Sequence, residues 1–321
     1  MRGSHDTVVK TRPSRPFRSV LVPLDGSPLA EQAIPLALEI ARAARSKVRL
    51  VLVHHSLPAP FYEESAQQYV SLDLAMRKAA RDYLRGLAGM LRQRSGLRIS
   101  SVAIDGSVAQ ALVKYVQDVG ADLVAMTTHG RGGARGAWLG SVADHLVRRL
   151  DIPVIVTRAR EGAESLSPPP KIREILVPLD WSPLAEAALA PAAAVAGLFD
   201  AELVLVQVVP PLSAGSLLPV TFAAGYDIEI IALQRKAAQD YLDGLGEDLR
   251  ERGARVKTTV VVGRNVGEAL IKLAHPERTD LVAIASHGRS GVQRLMLGSV
   301  ADKLIRAAEP PVLVVRRGKG R

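Results

Sequence analysis

Short apolar runs alternate with longer amphipathic segments along the chain. In its first half, five apolar runs predict strands: SVLVPL (19–24), VRLVLVHH (48–55), LRISSVAI (97–104), DLVAMTT (122–128) and PVIVTR (153–158). The segments between them space apolar residues at helical intervals. Continuous apolar strands separated by helices are typical of a parallel sheet buried on both faces. The pattern therefore predicts an α/β fold.

Helix boundaries can be read from capping signals. Residues 27–44 predict one helix, with Ser27 as its N-cap and Pro28 in its first turn. Residues 74–94 predict a long amphipathic helix, and another helix is predicted to begin near Ser141. The stretch 56–73 and its second-half counterpart 209–227 predict long loops, which we expect to cover a ligand or to form a contact between chains.

The chain repeats itself. SVLVPLDGSPLAEQAIPLA (19–37) matches EILVPLDWSPLAEAALAPA (174–192), and THGRGGARGAWLGSVADHLVRR (128–149) matches SHGRSGVQRLMLGSVADKLIRA (286–307). A Pro-rich polar stretch lies between the copies. The predicted organisation has five parts: a basic, flexible arm at 1–15, a first domain at 16–158, a linker at 159–171, a second domain at 172–317 and a basic tail at 318–321.

Composition excludes several classes of function. The chain contains no cysteine, so disulfides and Cys-based sites are excluded. Its apolar runs are shorter than the roughly 20 residues of a membrane helix, and its first residues lack an apolar signal core. We expect a cytoplasmic protein without a membrane partner. The net charge is +10, but much of the excess lies at the termini and no nucleic-acid recognition module is visible, so nucleic acid is not the expected partner.

Two glycine-rich stretches follow the fourth strands of the two halves. Gly130 begins one and Gly140-Ser141 ends it; Gly288 and Gly298-Ser299 occupy the same places in the other. Glycine lets backbone approach a ligand closely, and a helix N-terminus favours phosphate. Flanking arginines, including Arg131 and Arg289, would screen the charge. The alternative is structural, because Ser-Val-Ala-Asp is also the pattern of a capping box.

The predicted site lies where these stretches and the ends of the first strands meet. In parallel α/β sheets, ligands bind outside the carboxyl ends of strands where the strand order reverses. Pro23–Asp25 and Met126–Ser141 both follow strands. Asp25 and Asp180 have an alternative role as turn residues after a strand. Trp181 replaces Gly26 and is expected either to cover a ligand or to pack at a domain contact.

VPLDGS after the first strand and HGRGG…LGSVAD after the fourth resemble the universal stress protein family, and the second half repeats them as VPLDWS and HGRSG…LGSVAD. The resemblance implies two tandem Rossmann-like domains, each a five-stranded parallel sheet with helices on both faces. ATP-binding members of that family carry Gly, two residues, Gly, nine residues and Gly-Ser/Thr. Here the second and third glycines match, whereas Thr127 and Ala285 stand in place of the first.

The resemblance also implies binding residues. Asp25 and Asp180 would meet the adenine or ribose beside Pro23 and Pro178, and Met126 and Ile284 would pack on the base. His55 and Val208 are placed as equivalent residues after the second strands. The complete predicted set is Pro23, Asp25, His55, Met126, Thr127, Gly130, Arg131, Gly140, Ser141, Val142, Pro178, Asp180, Val208, Ile284, Ala285, Gly288, Arg289, Gly298, Ser299 and Val300.

The implied ligand is ATP or a related adenine nucleotide, with Mg²⁺ expected only because ATP usually brings it. No catalytic constellation or metal-ligand set appears in the sequence. We therefore expect a stress-response regulator or sensor that binds a nucleotide, with a nucleotide-free scaffold and a slow ATPase or phosphotransferase as alternatives. The last strands, 153–158 and 311–317, are predicted to pair as an internal pseudo-dimer, and two chains to form a homodimer.

Overall fold

The structure, a computed structural model, describes residues 16–55, 66–128, 139–169, 171–211, 227–275, 277–286 and 297–316. The predictions for the terminal segments 1–15 and 318–321 lie outside these residues. Most of each of the two predicted loops also lies outside the described residues.

The first domain alternates strands and helices as predicted. Its elements are β1 (Ser19–Leu24), α1 (Pro28–Glu31), α2 (Ile34–Ala44), β2 (Lys47–His54), α3 (Ala66–Ser95), β3 (Ile99–Asp105), α4 (Val108–Asp118), β4 (Leu123–Thr127), α5 (Ser141–Arg149) and β5 (Val154–Thr157).

The second domain repeats that order. Its elements are β6 (Glu174–Pro178), α6 (Pro183–Glu186), α7 (Leu189–Phe199), β7 (Glu202–Val209), α8 (Asp227–Glu251), β8 (Arg255–Val262), α9 (Val266–Leu273), β9 (Leu281–Ala285), α10 (Ser299–Ala307) and β10 (Val312–Val315).

Ten strands form one sheet in the order β3-β2-β1-β4-β5-β10-β9-β6-β7-β8. Within each domain every strand pair is parallel. At the centre, β5 and β10 pair antiparallel, with Ile155 opposite Leu313. The pairing of the last strands predicted from the sequence is therefore present, and the carboxyl ends of the two domains' strands point to opposite edges of the sheet.

Two apolar layers cover the sheet, because successive strand residues face opposite sides. Val20 and Val22 join one layer, and Leu21 joins the other. In the first layer α2 contacts α7 across the domain boundary. The second layer contains α4 and α5 with their counterparts α9 and α10. Both faces are thus buried, as the apolar strands predicted.

Two helix predictions were wrong in extent. The helix predicted over 27–44 is divided into α1 and α2, because Pro35 has no N–H to continue the ladder. The long helix α3 begins at Ala66, not at Leu74, so part of the predicted loop is helical. Apolar side chains such as Val70 and Leu72 are exposed there, which hides the core-facing periodicity that identifies helices in sequence.

Candidate functional site

The predicted segments meet at the point where the strand order reverses. In the first domain β1 lies between β2 and β4, and in the second β6 lies between β7 and β9. Pro23–Asp25 therefore ends beside Met126-Thr127, and Pro178–Asp180 ends beside Ile284-Ala285. This is the crevice that parallel α/β sheets offer to ligands.

A cavity of about 230 Å³ occupies this crevice in the second domain. All eight predicted residues of that domain that the structure describes line it: Pro178, Asp180, Val208, Ile284, Ala285, Gly298, Ser299 and Val300. The walls are mainly apolar, and Asp180 and Ser299 supply polar groups. Apolar walls with a few polar groups suit a flat organic ring that must be held in one orientation.

The aspartates after β1 and β6 have the same structural role. The Oδ1 atom of Asp25 accepts hydrogen bonds from the Ser27 backbone N–H at 2.9 Å and from its hydroxyl at 2.7 Å. Asp180 accepts the same two bonds from Ser182. Each serine oxygen in turn caps the following short helix. The turn role considered for these aspartates is therefore real, and it fixes the Asp180 carboxylate at the cavity wall.

The helix that closes the site begins one residue earlier than a capping box would require. Gly140 and Gly298 are the N-caps of α5 and α10, and no side chain caps either helix. Ser141 and Ser299 are the first helical residues and are exposed, so the capping-box alternative was wrong. An α-helix leaves its first backbone N–H groups without intrahelical partners, and in α10 these belong to residues that line the cavity.

Conformation does not require glycine at these N-caps. Gly140 has φ −58° and Gly298 has φ −62°, values that any residue adopts. The Gly298 N–H donates to the Ser286 carbonyl oxygen at 2.8 Å, and the Gly140 N–H donates to that of Thr128 at 2.8 Å. These bonds close the glycine-rich stretches at their bases.

The first domain holds its described counterparts in the same places, with one correction. Strand register pairs Pro23 with Val51 and Pro178 with Val206, so the equivalent of Val208 is Val53. The proposed equivalence of His55 and Val208 was wrong by two residues. His55 is exposed, and its Nδ1 lies 3.5 Å from the Gly106 carbonyl oxygen. The numbering difference between the matched first motifs of the two halves also holds in the second strands. Subtracting that difference from Val208 would have identified Val53.

Thr127 and Ala285, which replace the family's first glycine, both end their strands at the crevice and are 6% exposed. Gly130, Arg131, Gly288 and Arg289 lie outside the described residues.

The sequence reasoning missed six lining residues: Leu179, Ala185, Val206, Val266, Leu270 and Ala301. Val206 could have been found from strand alternation, and Val266 and Leu270 from the i, i+4 face of α9.

Trp181 packs inside its own domain, so its predicted role at a domain contact was wrong, and its role in covering a ligand stays a prediction. Its ring stacks on Tyr241 of α8, within its own domain, with centroids 4.5 Å apart. Its backbone has φ +69°, and Gly26 has φ +81° at the same turn. Tyr241 donates its hydroxyl to Glu186 at 2.9 Å, and burial, together with that carboxylate, raises the pKa of the tyrosine.

A buried histidine lies near the first site. His54, 5% exposed, has its Nε2 2.8 Å from Asp73 on α3, while His55 is exposed. The two adjacent histidines therefore have different surroundings. In the part of the chain that the structure describes, no group of three His, Cys, Asp or Glu side chains is arranged to hold a metal ion.

Comparison with known proteins identifies the family. The model of the universal stress protein family matches residues 16–158 and again 171–316. The chain belongs to the universal stress protein family. Rv2623 of Mycobacterium tuberculosis, a universal stress protein, is 29% identical over 303 residues, which cover 92% of this chain and 96% of that protein. Rv2623 thus aligns with both domains of this chain.

Other relatives match in part. Rv2005c of Mycobacterium tuberculosis is 33% identical over 198 residues, covering 61% of this chain and 62% of that protein, so the matched region spans less than two thirds of that relative's length. A universal stress protein from Archaeoglobus fulgidus has the same fold, with a TM-score of 0.65 over 95% of this chain and 99% of that one, at 18% identity. Among the described residues, no helix combines the length and apolar character needed to span a membrane.

Proposed function

We propose that the second domain binds ATP or a related adenine nucleotide in the cavity at the carboxyl edge of its sheet. The supporting observation is that the cavity is lined by the eight described residues that the resemblance marks for nucleotide binding. Its volume of about 230 Å³ lies below the roughly 300–1,000 Å³ of a whole ligand site, so it accommodates the base end of the nucleotide.

The phosphates would then lie along the start of α10. The N–H groups of Ser299, Val300 and Ala301 belong to the first helical turn, where the helix dipole favours anions. Gly298 supports this placement because its backbone conformation would permit any side chain, whereas a close ligand would not. Val208 and Ile284 would pack on the base, and the Asp180 carboxylate would accept a hydrogen bond from the nucleoside.

We propose the same function for the first domain with lower affinity. Thr127 carries a branched side chain where the second domain has Ala285. On this basis the chain acts as a stress-response regulator or sensor whose state depends on nucleotide occupancy. Hydrolysis would require a positioned water or acceptor. Asp180, the carboxylate among the described lining residues, is held by Ser182 in its turn and is assigned in this proposal to the nucleoside.

Calorimetric titration with ATP tests the proposed site. We compare the unaltered chain with Gly298→Val and Gly140→Val, and check folding by circular dichroism. Both substitutions suit the observed φ and ψ, so a loss of binding reports on ligand approach. Gly298→Val should weaken the tighter site at least about 100-fold. If the double variant is folded and binds ATP as the unaltered chain does, the site is misplaced.

A further inference from the structure

A second cavity, of about 380 Å³, lies at the amino edge of the first domain's sheet, opposite the edge just described. We call it the basic cavity. Its lining includes five cationic side chains: Arg18, Arg45, Lys47, Arg49 and Arg98. The proposed nucleotide does not use any of them.

The starts of three adjacent strands bring these cations together. Arg18 precedes β1, Lys47 begins β2 and Arg98 precedes β3. The Lys47 N–H donates to the Arg18 carbonyl oxygen at 3.0 Å, and the Val48 N–H donates to that of Arg98 at 2.9 Å. Neighbouring strands lie about 4.8 Å apart, so the three like charges start from adjacent positions.

Little in the described structure neutralises this charge. Asp122 lies 3.8 Å from the Arg18 Nε atom, but its oxygens already accept the backbone N–H groups of Arg18 and Ser19. Asp280 accepts the matching backbone hydrogen bonds at the start of β6. The Asp122 carboxylate is therefore part of the fold. Among the residues that the structure describes, the other four cations of the cavity form no ion pair with a carboxylate.

The sequence before the cavity adds charge of the same sign. Residues 1–15 contain Arg2, Lys10, Arg12 and Arg15 against a single acidic residue, Asp6. The preceding segment therefore does not supply the missing negative charge.

The second domain shows that the fold does not need the cations at Arg45 and Lys47. Strand register puts Glu202 at the position of Lys47, and Asp200 replaces Arg45 with the same left-handed backbone. There, Lys257 lies 2.7 Å from Glu202, and Arg255 lies 3.6 Å from Asp200. The second domain's edge is neutralised internally, whereas the first domain's edge leaves four of its five cations without a carboxylate partner within the described residues.

We propose that the basic cavity binds a soluble oligophosphate, meaning a small compound that carries at least two linked phosphate groups. Guanidinium groups donate paired hydrogen bonds that match phosphate oxygens, and four of the five cations are arginines. No aromatic residue is found among the cavity's described lining residues, so these offer no stacking surface for a base. Its dimensions suit a small anion better than a duplex.

Titration of the full-length chain with inorganic tripolyphosphate at about 0.15 M salt tests the proposal. The test variant is Arg45→Asp with Lys47→Glu, which copies the second domain's own residues and therefore suits the fold. The control is Arg81→Asp with Arg252→Glu, which makes the same change in net charge at exposed sites away from the cavity. Gly298→Val separates this cavity from the proposed nucleotide site.

We expect one tripolyphosphate per chain at the basic cavity. The test variant should weaken binding at least about tenfold, because a charge-assisted interaction is lost at each position, while the control and Gly298→Val retain it. Equal weakening in test and control, unchanged affinity in the test variant, or no binding to the unaltered chain would overturn the proposal. So would a DNA duplex that binds through the same residues more tightly than tripolyphosphate.

Discussion

The two domains share a crevice where their strands end and differ in charge where their strands begin. At the carboxyl edges, both place a proline, a turn aspartate and a Gly-Ser helix start around the same crevice. At the amino edges, one has five cations around a cavity and the other has internal ion pairs. The two copies thus share the geometry of the proposed ligand site, while they differ in amino-edge side chains that the fold does not require.

The largest expected effect concerns the seam between the domains, where β5 pairs with β10. Ile155 and Leu313 are opposite each other in the antiparallel pair and are 0% exposed. Replacing either with alanine should lower the free energy of unfolding by about 2–5 kcal/mol, measured by urea denaturation. Val262→Ala, on an edge strand and 40% exposed, is the control and should cost well under about 1 kcal/mol. A large loss from only one seam variant would show that the halves are not equivalent there.

Exchange of the residue at the family's first glycine position sharpens the comparison of the two sites. Ala285→Thr puts the first domain's residue into the second and should weaken ATP binding there about tenfold, because the branched side chain occupies space at the ligand. Calorimetry measures the change, with Ala43→Thr on the exposed face of α2 as the control. Unchanged affinity would remove Thr127 as the reason for a weaker first site.

The Gly26 and Trp181 turns provide a smaller test. Trp181→Ala loses the stack on Tyr241 but still places a side chain at a left-handed backbone position. It should lower the free energy of unfolding by about 1–2 kcal/mol. Trp181→Gly should recover about 1 kcal/mol of that loss, because glycine adopts φ +69° without strain. Thermal unfolding compares the two, and Gly26→Ala should show the matching loss in the first domain. Equal stability of Trp181→Ala and Trp181→Gly would rule out strain at this turn.

The smallest expected effect concerns pH at the second amino edge. Burial, with contributions from Glu202 and Asp280, raises the pKa of Glu174 above 4.5. The folded state then binds this proton more tightly than the unfolded state, so the group costs stability as pH rises through its folded pKa. Glu174→Gln should raise the free energy of unfolding at pH 7 by less than about 1 kcal/mol, since solvent screens this partly exposed group.

The gain from Glu174→Gln should disappear below pH of about 4, where the carboxyl is protonated in both states. Urea denaturation at several pH values measures it. Glu202→Gln, which loses the pair with Lys257, should have the opposite sign at pH 7. A gain that persists at acid pH would assign the effect to packing.

Sequence periodicity predicted the strands because the inner strands are buried on both faces and read as apolar runs. The pairing of the last strands was predicted from their place at a sheet edge. Periodicity failed where apolar residues are exposed and therefore do not mark a buried face, as at Leu72 on α3. It also failed where one residue interrupts the hydrogen bonds of a helix, as at Pro35. The site residues were predicted from the resemblance to the universal stress protein family, but strand register was needed to identify Val53. The basic cavity joins residues from distant segments, so counting charge along the chain assigned the excess to the termini.

The most direct test of the account is to identify what the protein carries. The protein is purified without added nucleotide and denatured, and any released small molecule is identified by chromatography and mass spectrometry. The stripped protein is then titrated with ATP. The account predicts an adenine nucleotide or ATP binding at one or two per chain, lost in the Gly298→Val and Gly140→Val double variant. An empty protein with no titratable ATP binding would contradict it and would leave a nucleotide-free scaffold of the same fold.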